Sequence, residues 1–194
     1  KILERDEQLP DTWPVAGTTG YEFAHRVDGL LIDPEGEEGC TAAYRDLTGV
    51  EESWDDIVLA EKHQVLSREL ASEVGALTRR LADICAGERR HRDHTRRDLH
   101  HAVREVLAGF DVYRTYVQPG RPVTSTDEAV VHRAVERAAR RRPDIDRELL
   151  DFLGDLLLLR RAGRAERELA ARFPQVAAPV MAKGVEDTAF YRYH

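Results

Sequence analysis

Leu66, Leu70, Val74, Leu77, Leu81 and Ile84 recur at spacings of three and four residues, which gathers them on one face of a helix. A strand has period two and cannot collect such a stripe, so a chain that carries it folds around packed helices. The run opens with Ser53-Trp54-Asp55-Asp56, a capping hydroxyl with an acidic residue at the third helical position, and Gly87 is suited to end it. Thr95-Arg96-Arg97-Asp98 repeats the capping pattern ahead of Leu99, Val103, Val106, Leu107 and Phe110. Thr124 to Asp127 cap a third helix, expected to stop near Arg142 because Pro143 disfavours helical geometry in the residue before it. Asp146 starts a fourth, whose Leu149, Leu150, Phe152, Leu153, Leu156 and Leu157 cover nearly half the circumference and require deep burial. A fifth is expected from about Arg164 to Phe173, running into Pro174 and Pro179. Residues 112–117 (VYRTYV) are β-branched and aromatic and read as a strand.

The first 49 residues are different. Pro10, Pro14 and Pro34 alternate with Gly17, Gly20, Gly29, Gly36 and Gly39, and short extended runs fit residues 13–16 and 29–32. So long a stretch without periodicity is unusual as a free loop and is expected to lie across a scaffold. Residues 179–194 break the helical pattern again. The expected division is residues 1–50 irregular and extended, 51–175 a helical subdomain, and 176–194 a functional loop.

The formal net charge of −7 runs against a nucleic-acid surface, which must neutralise phosphates. Residues 89–97 are a local exception, and a solvated arginine-rich loop explains them more simply. No apolar run reaches the roughly 18 residues needed to span a bilayer. Cys40 and Cys85 lack C-x-x-C spacing and suit free thiols in a reducing, cytoplasmic setting. An opening Lys-Ile-Leu-Glu without an initiator Met reads as a chain cut in mid-element. Lysine occurs only at Lys1, Lys62 and Lys183 against a background of arginine, which singles out each of the three.

Residues 182–193 hold the densest chemistry: Lys183, Gly184, Glu186, Asp187, Thr188, Phe190, Tyr191, Arg192 and Tyr193. Planar polar groups suit the vicinal hydroxyls of a sugar, and aromatic faces suit the apolar side of its ring. Gly184 permits close backbone approach to a ligand. The pattern serves equally a loop entering a capped helix, with Glu186-Asp187 at its N-terminus. A second cluster is Ala16-Gly17-Thr18-Thr19-Gly20-Tyr21-Glu22-Phe23. Its spacing is not that of a P-loop, and a glycine-bounded turn packing Tyr21 and Phe23 inward fits better. His91, His94, His100 and His101 lack ligand spacing and lie among arginines, so neither a metal nor another cofactor is expected.

Several of these words occur together elsewhere. Lys1-Ile2-Leu3, Leu9-Pro10, Trp13-Pro14-Val15-Ala16-Gly17-Thr18-Thr19-Gly20-Tyr21, Val27-Asp28-Gly29-Leu30 with Asp33-Pro34, the run at 112–117 and the run at 179–193 follow one another in order. In them the sequence resembles the maltooligosyltrehalose synthases, a family of the α-amylase (glycoside hydrolase 13) superfamily. The resemblance implies a mainly α chain: a helical insertion subdomain, with a few short strands belonging to a (β/α)8 barrel that is incomplete here. Residues 1–50 would derive from that barrel, and 176–194 would be its substrate loop. One departure is Phe173-Pro174-Gln175, where the family tends to R-F-Q-Q, so the approach to Lys183 is expected to differ.

The implied reaction converts the reducing-end α-1,4 bond of a maltooligosaccharide into an α,α-1,1 bond, an intramolecular transglucosylation of the isomerase class in trehalose biosynthesis. The implied partner is maltooligosyltrehalose trehalohydrolase, which releases the trehalose. The resemblance puts all catalytic carboxylates outside this chain: one on an earlier barrel strand, an acid/base Glu just before Lys1, and a third beyond His194. It leaves substrate-side roles to Lys183, Glu186, Asp187, Tyr191, Tyr21, Thr18 and Thr19, and the segment alone is expected to be inactive. The competing reading is a helical protein-interaction module without an active site.

Overall fold

The computed structural model describes residues 9–10, 12–161 and 163–193. The Lys1-Ile2-Leu3 word lies outside the described residues. The chain separates into two compact units, Lys1–Ser53 and Trp54–Tyr193.

Among the described residues of the first unit, the backbone is helical where an irregular course was expected. Helix α1 spans Tyr21–Leu30, a 3-10 turn spans Pro34–Gly36 and α2 spans Glu37–Thr48. The extended runs expected at 13–16 and 29–32 are absent. Trp13 N–H bonds Pro10 O at 3.0 Å and Val15 N–H bonds Trp13 O at 2.8 Å, so the first is a pair of tight turns, and α1 absorbs the first half of the second. Local caps explain the helices. Thr18 Oγ1 accepts from Tyr21 N–H at 3.1 Å and donates to Glu22, whose carboxylate also takes Thr18 N–H at 3.1 Å. Asp33 caps the 3-10 turn, and Gly49 ends α2 at φ +70°. Neither helix buries a residue; Phe23, Leu30, Leu31, Ile32 and Leu47 are exposed.

The second unit is a helical assembly: α3 (Trp54–Ser67), α4 (Ala71–Gly87), α5 (Arg96–Gly109), α6 (Ser125–Arg141), α7 (Arg147–Leu157) and α8 (Arg164–Met181). A π-helical segment, Ala182–Ala189, and one helical turn, α9 (Phe190–Arg192), follow. Helix α5 is central, packing against α3, α4, α6, α7 and α8. The periodic stripes lie where their spacing puts them, with Leu66, Val74, Leu77, Leu81, Ile84, Val103, Val106, Leu107, Phe110, Leu149, Leu153 and Leu156 all buried in one core. The stripe from Leu66 to Ile84 crosses a break between α3 and α4 and is not one continuous helix. Thr95 and Asp98 form the complete capping box, and Thr124 and Asp146 cap α6 and α7. Both cysteines are free thiols; Cys40 is exposed, and burial, with Glu88 adding, pushes Cys85 up to about 11.

Two further expectations are corrected. No strand occurs among the described residues, and 112–117 is an ordered connection. A strand needs a partner backbone; here Tyr116 N–H bonds the Asp127 carboxylate at 2.8 Å. Helix α8 does not end at Phe173 but continues through Pro174 and Pro179 to Met181. Each interior proline costs about 3 kcal/mol. Buried Leu169, Phe173, Val176, Ala177 and Val180 continue one apolar face across both prolines, and that burial outweighs the lost bonds. Residues 179–192 are thus helical and not an open loop.

Candidate functional site

The π-helical segment lies along α3. Gly184, Val185 and Ala189 turn inward and are buried, while Lys183, Asp187 and Tyr191 are exposed, with Glu186 half-buried beside them. A π-helix has a wider turn than an α-helix, so residues four to five apart stack along one edge. That spacing aligns Lys183, Asp187 and Tyr191 as an outward row of cation, carboxylate and phenol. Thr188 Oγ1 donates to Lys183 O at 2.8 Å, tying the wide turn to its own backbone.

Helix α3 supplies the cradle. Glu61 and Lys62 are 4% and 3% exposed, the only acidic and basic side chains on a face otherwise built from Ile57, Val65 and Leu66. Glu61 pairs with Arg192 at the far end of the segment. Trp54 stacks on Phe190 with centroids 5.3 Å apart and meets Tyr193 edge-on at 5.4 Å. Lys62 Nζ donates to Phe110 O at 2.6 Å, just past the end of α5. A Cβ at Gly184 would stand 3.0 Å from Lys62 Cγ and 3.1 Å from Lys62 Cα. The close approach that this glycine permits is therefore to α3.

Cations crowd the end of α5, where carbonyls lack partners and the helix dipole is negative. Arg137 donates to Gly109 O and Arg141 to Glu105 O, both at 3.1 Å, beside the Lys62 bond. Glu105 itself is 2% exposed. His63 Nε2 lies 3.4 Å from it, Arg104 3.3 Å, Arg142 3.6 Å and Arg141 3.7 Å. Burial pushes the Glu105 carboxyl up, but these neighbours outweigh it and hold the group below the usual carboxylate range. Asp111 behaves alike: burial raises it, and Arg133 and Arg137 bring it below normal. Arg142 also holds Asp144 down to about 2. The histidines are dispersed: His91 stacks on Phe152 at 4.1 Å, His94 faces Asp146 at 3.7 Å, His100 lies by Thr78 and His101 by Arg142. Among the described residues no group of three or more His, Cys, Asp or Glu is placed to hold a metal, and no helix is long and apolar enough to cross a membrane.

Of the candidates singled out by the sequence, Lys183, Glu186 and Asp187 lie in the π-helical segment of the second unit and Tyr191 in α9, which follows it. Thr18, Thr19 and Tyr21 share one turn of the first. There Thr18 spends its hydroxyl on the cap of α1, Thr19 is exposed, and Tyr21 and Phe23 stay 46% and 73% exposed where inward packing was expected. Sequence reasoning missed Trp54, Glu61 and Glu22. The signal was present at Glu61, which takes the middle place in the four-residue spacing Ile57, Glu61, Val65 of a buried stripe.

No family model matches the chain. Two curated proteins of Mycobacterium tuberculosis, strains CDC 1551 / Oshkosh and ATCC 25618 / H37Rv, are each described as "Putative maltooligosyl trehalose synthase" and are 33% identical over 193 residues. The match takes in 99% of this chain and 22% of theirs, so the chain spans about a fifth of these relatives' length. A solved structure of a mutant maltooligosyltrehalose synthase from Arthrobacter ramosus matches all of this chain with a TM-score of 0.80 at 33% identity, over 22% of its own chain. By sequence and by fold alike, this chain is a relative of the maltooligosyl trehalose synthases over the 22% of their length that it matches.

Proposed function

We propose that this chain is the substrate-side segment of a longer enzyme that turns the reducing-end α-1,4 bond of a maltooligosaccharide into an α,α-1,1 bond. The observation that carries this reading is the outward row Lys183, Asp187 and Tyr191, with Glu186 beside it, in a chain similar throughout to the synthases. A module that only docks partner helices has no use for such a row. The exposed apolar residues of α1 and α2 support a larger parent, because they suit burial against further chain. Residues 1–50 and 176–194 are assigned to the rim of its barrel, and 51–175 to a helical insertion.

The reaction conserves atoms. The bond from C1 of the penultimate glucose to O4 of the terminal glucose breaks, and O4 takes a proton. The released glucose turns, and its anomeric hydroxyl oxygen attacks the same C1, breaking the glycosyl–enzyme bond and returning its proton to the acid/base. Carboxylates outside this segment supply the nucleophile and the acid/base of a retaining double displacement. The task left to this segment is to hold the freed glucose through its rotation while water is excluded. In the helical unit, Lys183, Glu186 and Asp187 are the hydroxyl partners and Tyr191 an aromatic wall; in the first unit, Tyr21 is assigned a substrate-side role of its own, with Thr18 and Thr19 shaping the turn that carries it. The product is the substrate of a trehalose-releasing hydrolase, and both enzymes are assigned to the cytoplasm.

The test uses the full-length protein with maltopentaose. Both anomeric carbons are engaged in the product, so reducing ends are expected to vanish without equivalent glucose release. Replacing a hydrogen-bonding carboxylate costs about 1.5–3 kcal/mol, so Glu186→Gln is expected to slow this roughly ten- to a hundred-fold. Reducing ends that persist in the wild type, or a Glu186→Gln rate equal to wild type, overturn the reading.

A further inference from the structure

We infer that Lys62 and Gly184 form a positioning device that sets the height of the π-helical row above α3 and so decides whether the freed glucose or water receives the glycosyl group. This rests on the proposed transfer reaction. Buried ammonium groups are costly unless hydrogen-bonded, and an apolar side chain at position 62 would continue the stripe of Ile57, Val65 and Leu66. The position instead carries a lysine whose amine reaches the end of α5 at Phe110 O, 2.6 Å away. Its stem, fixed by that bond, is the floor on which Gly184 rests: 3.0 Å from Lys62 Cγ, 3.1 Å from Cα and 3.2 Å from N to where a Cβ would be. Such contact is possible only without a side chain at 184.

The floor matters because of what stands on it. Lys183 is the next residue to Gly184, and Glu186 and Asp187 follow within the same wide turn. The far end of the segment is held separately, by Glu61 on Arg192 and by Trp54 on Phe190. A change at 62 or 184 therefore tilts the row about a pinned end and leaves it attached. The Lys62 hydrogen bond to Phe110 O, together with the close packing of Gly184 on the Lys62 stem, links the α5 terminus to the residues proposed to face the substrate.

The expected size follows from positioning energetics. A misplacement of about 1 Å costs on the order of a hundred-fold, so a few tenths of an ångström correspond to roughly three- to five-fold. A Cβ at Gly184 demands a shift of that order, and two of its three nearest atoms are backbone, which cannot rotate away. The experiment compares Gly184→Ala and Lys62→Met with wild type in the full-length enzyme, reading trehalosyl product against hydrolytic glucose. Loss of folded protein scales both products alike and leaves their ratio unchanged. The ratio is thus readable on whatever fraction folds. It is expected to fall by about three-fold or more in both variants, and Lys62→Arg, which keeps a donor toward Phe110 O, is expected to recover part of it. An unchanged ratio in Gly184→Ala and Lys62→Met, with Glu186→Gln still slowing transfer, overturns the device and leaves the proposed function standing. A wild type that forms no trehalosyl product overturns both.

Discussion

Glu105 illustrates what individual charges do in this chain. A carboxylate at 2% exposure persists because His63, Arg104, Arg141 and Arg142 surround it. Removing one partner of a buried ion network strands the rest, so Glu105→Ala is expected to destabilise the helical unit by about 3–5 kcal/mol, measured by urea unfolding. The same surroundings set a pH dependence. His91, His100 and His101 are pushed below their ordinary values by burial first, with His94, Arg104 and Arg142 respectively adding. The unfolded chain therefore binds protons there more tightly, and stability is lost as pH falls below about 6.5. Glu105 and Asp111 also have depressed folded values, so their contribution is present above about pH 4 and lost on further acidification. Thermal midpoints are expected to decline in two stages between pH 7 and 3; a flat profile down to pH 4 contradicts the histidine assignment. Lys183, Glu186 and Asp187 were singled out by residue type alone, and their substrate-side role stands as the proposal. Lys62 stood out by its rarity and Glu61 by its place in the stripe, but their partners, Phe110 O and Arg192, were not legible, because helix periodicity marks a face as buried without saying which charged residues on it find partners.

Among the helices, the capping signals read truly. Thr95, Thr124 and Asp146 each begin a helix as the sequence indicates, since a cap is a local bond between residues two or three apart. Where tertiary burial decides, local reading failed. Residues 112–117 have the composition of a strand but meet no partner strand, and Asp127 takes the Tyr116 amide instead. Pro174 and Pro179 signal a stop, and a continuous buried face overrides them. The α5–α6 crossing offers a sharper test. A Cβ on Gly109 would stand 2.6 Å from Ala134 O, a backbone atom that cannot swing aside. Gly109→Ala gains helix propensity on an isolated helix, yet it is expected to destabilise this unit by about 1–3 kcal/mol through forced separation of the helices. A neutral or stabilising result in chemical denaturation contradicts that packing.

For the molecule as a whole, the two units differ in kind. Trp54–Tyr193 owns a core; neither helix of the first unit buries a residue. Limited trypsinolysis of the 194-residue chain is expected to cut first at Arg26 or Arg45 and to spare the helical unit. Early cleavage within α5 or α6 contradicts it. Prolines and glycines cluster before residue 50, and the boundary between the two compact units falls at Ser53. Composition gave no hint of α1 and α2, neither of which buries a residue.

The row on the π-helical segment is the centre of the functional account. Its most direct test is a crystal structure of the full-length enzyme, inactivated at its nucleophile, with a maltooligosaccharide bound. The account expects the reducing-end glucose to have hydroxyls within hydrogen-bond distance of Lys183, Glu186 or Asp187. A sugar seated elsewhere, with all three side chains facing solvent, contradicts it.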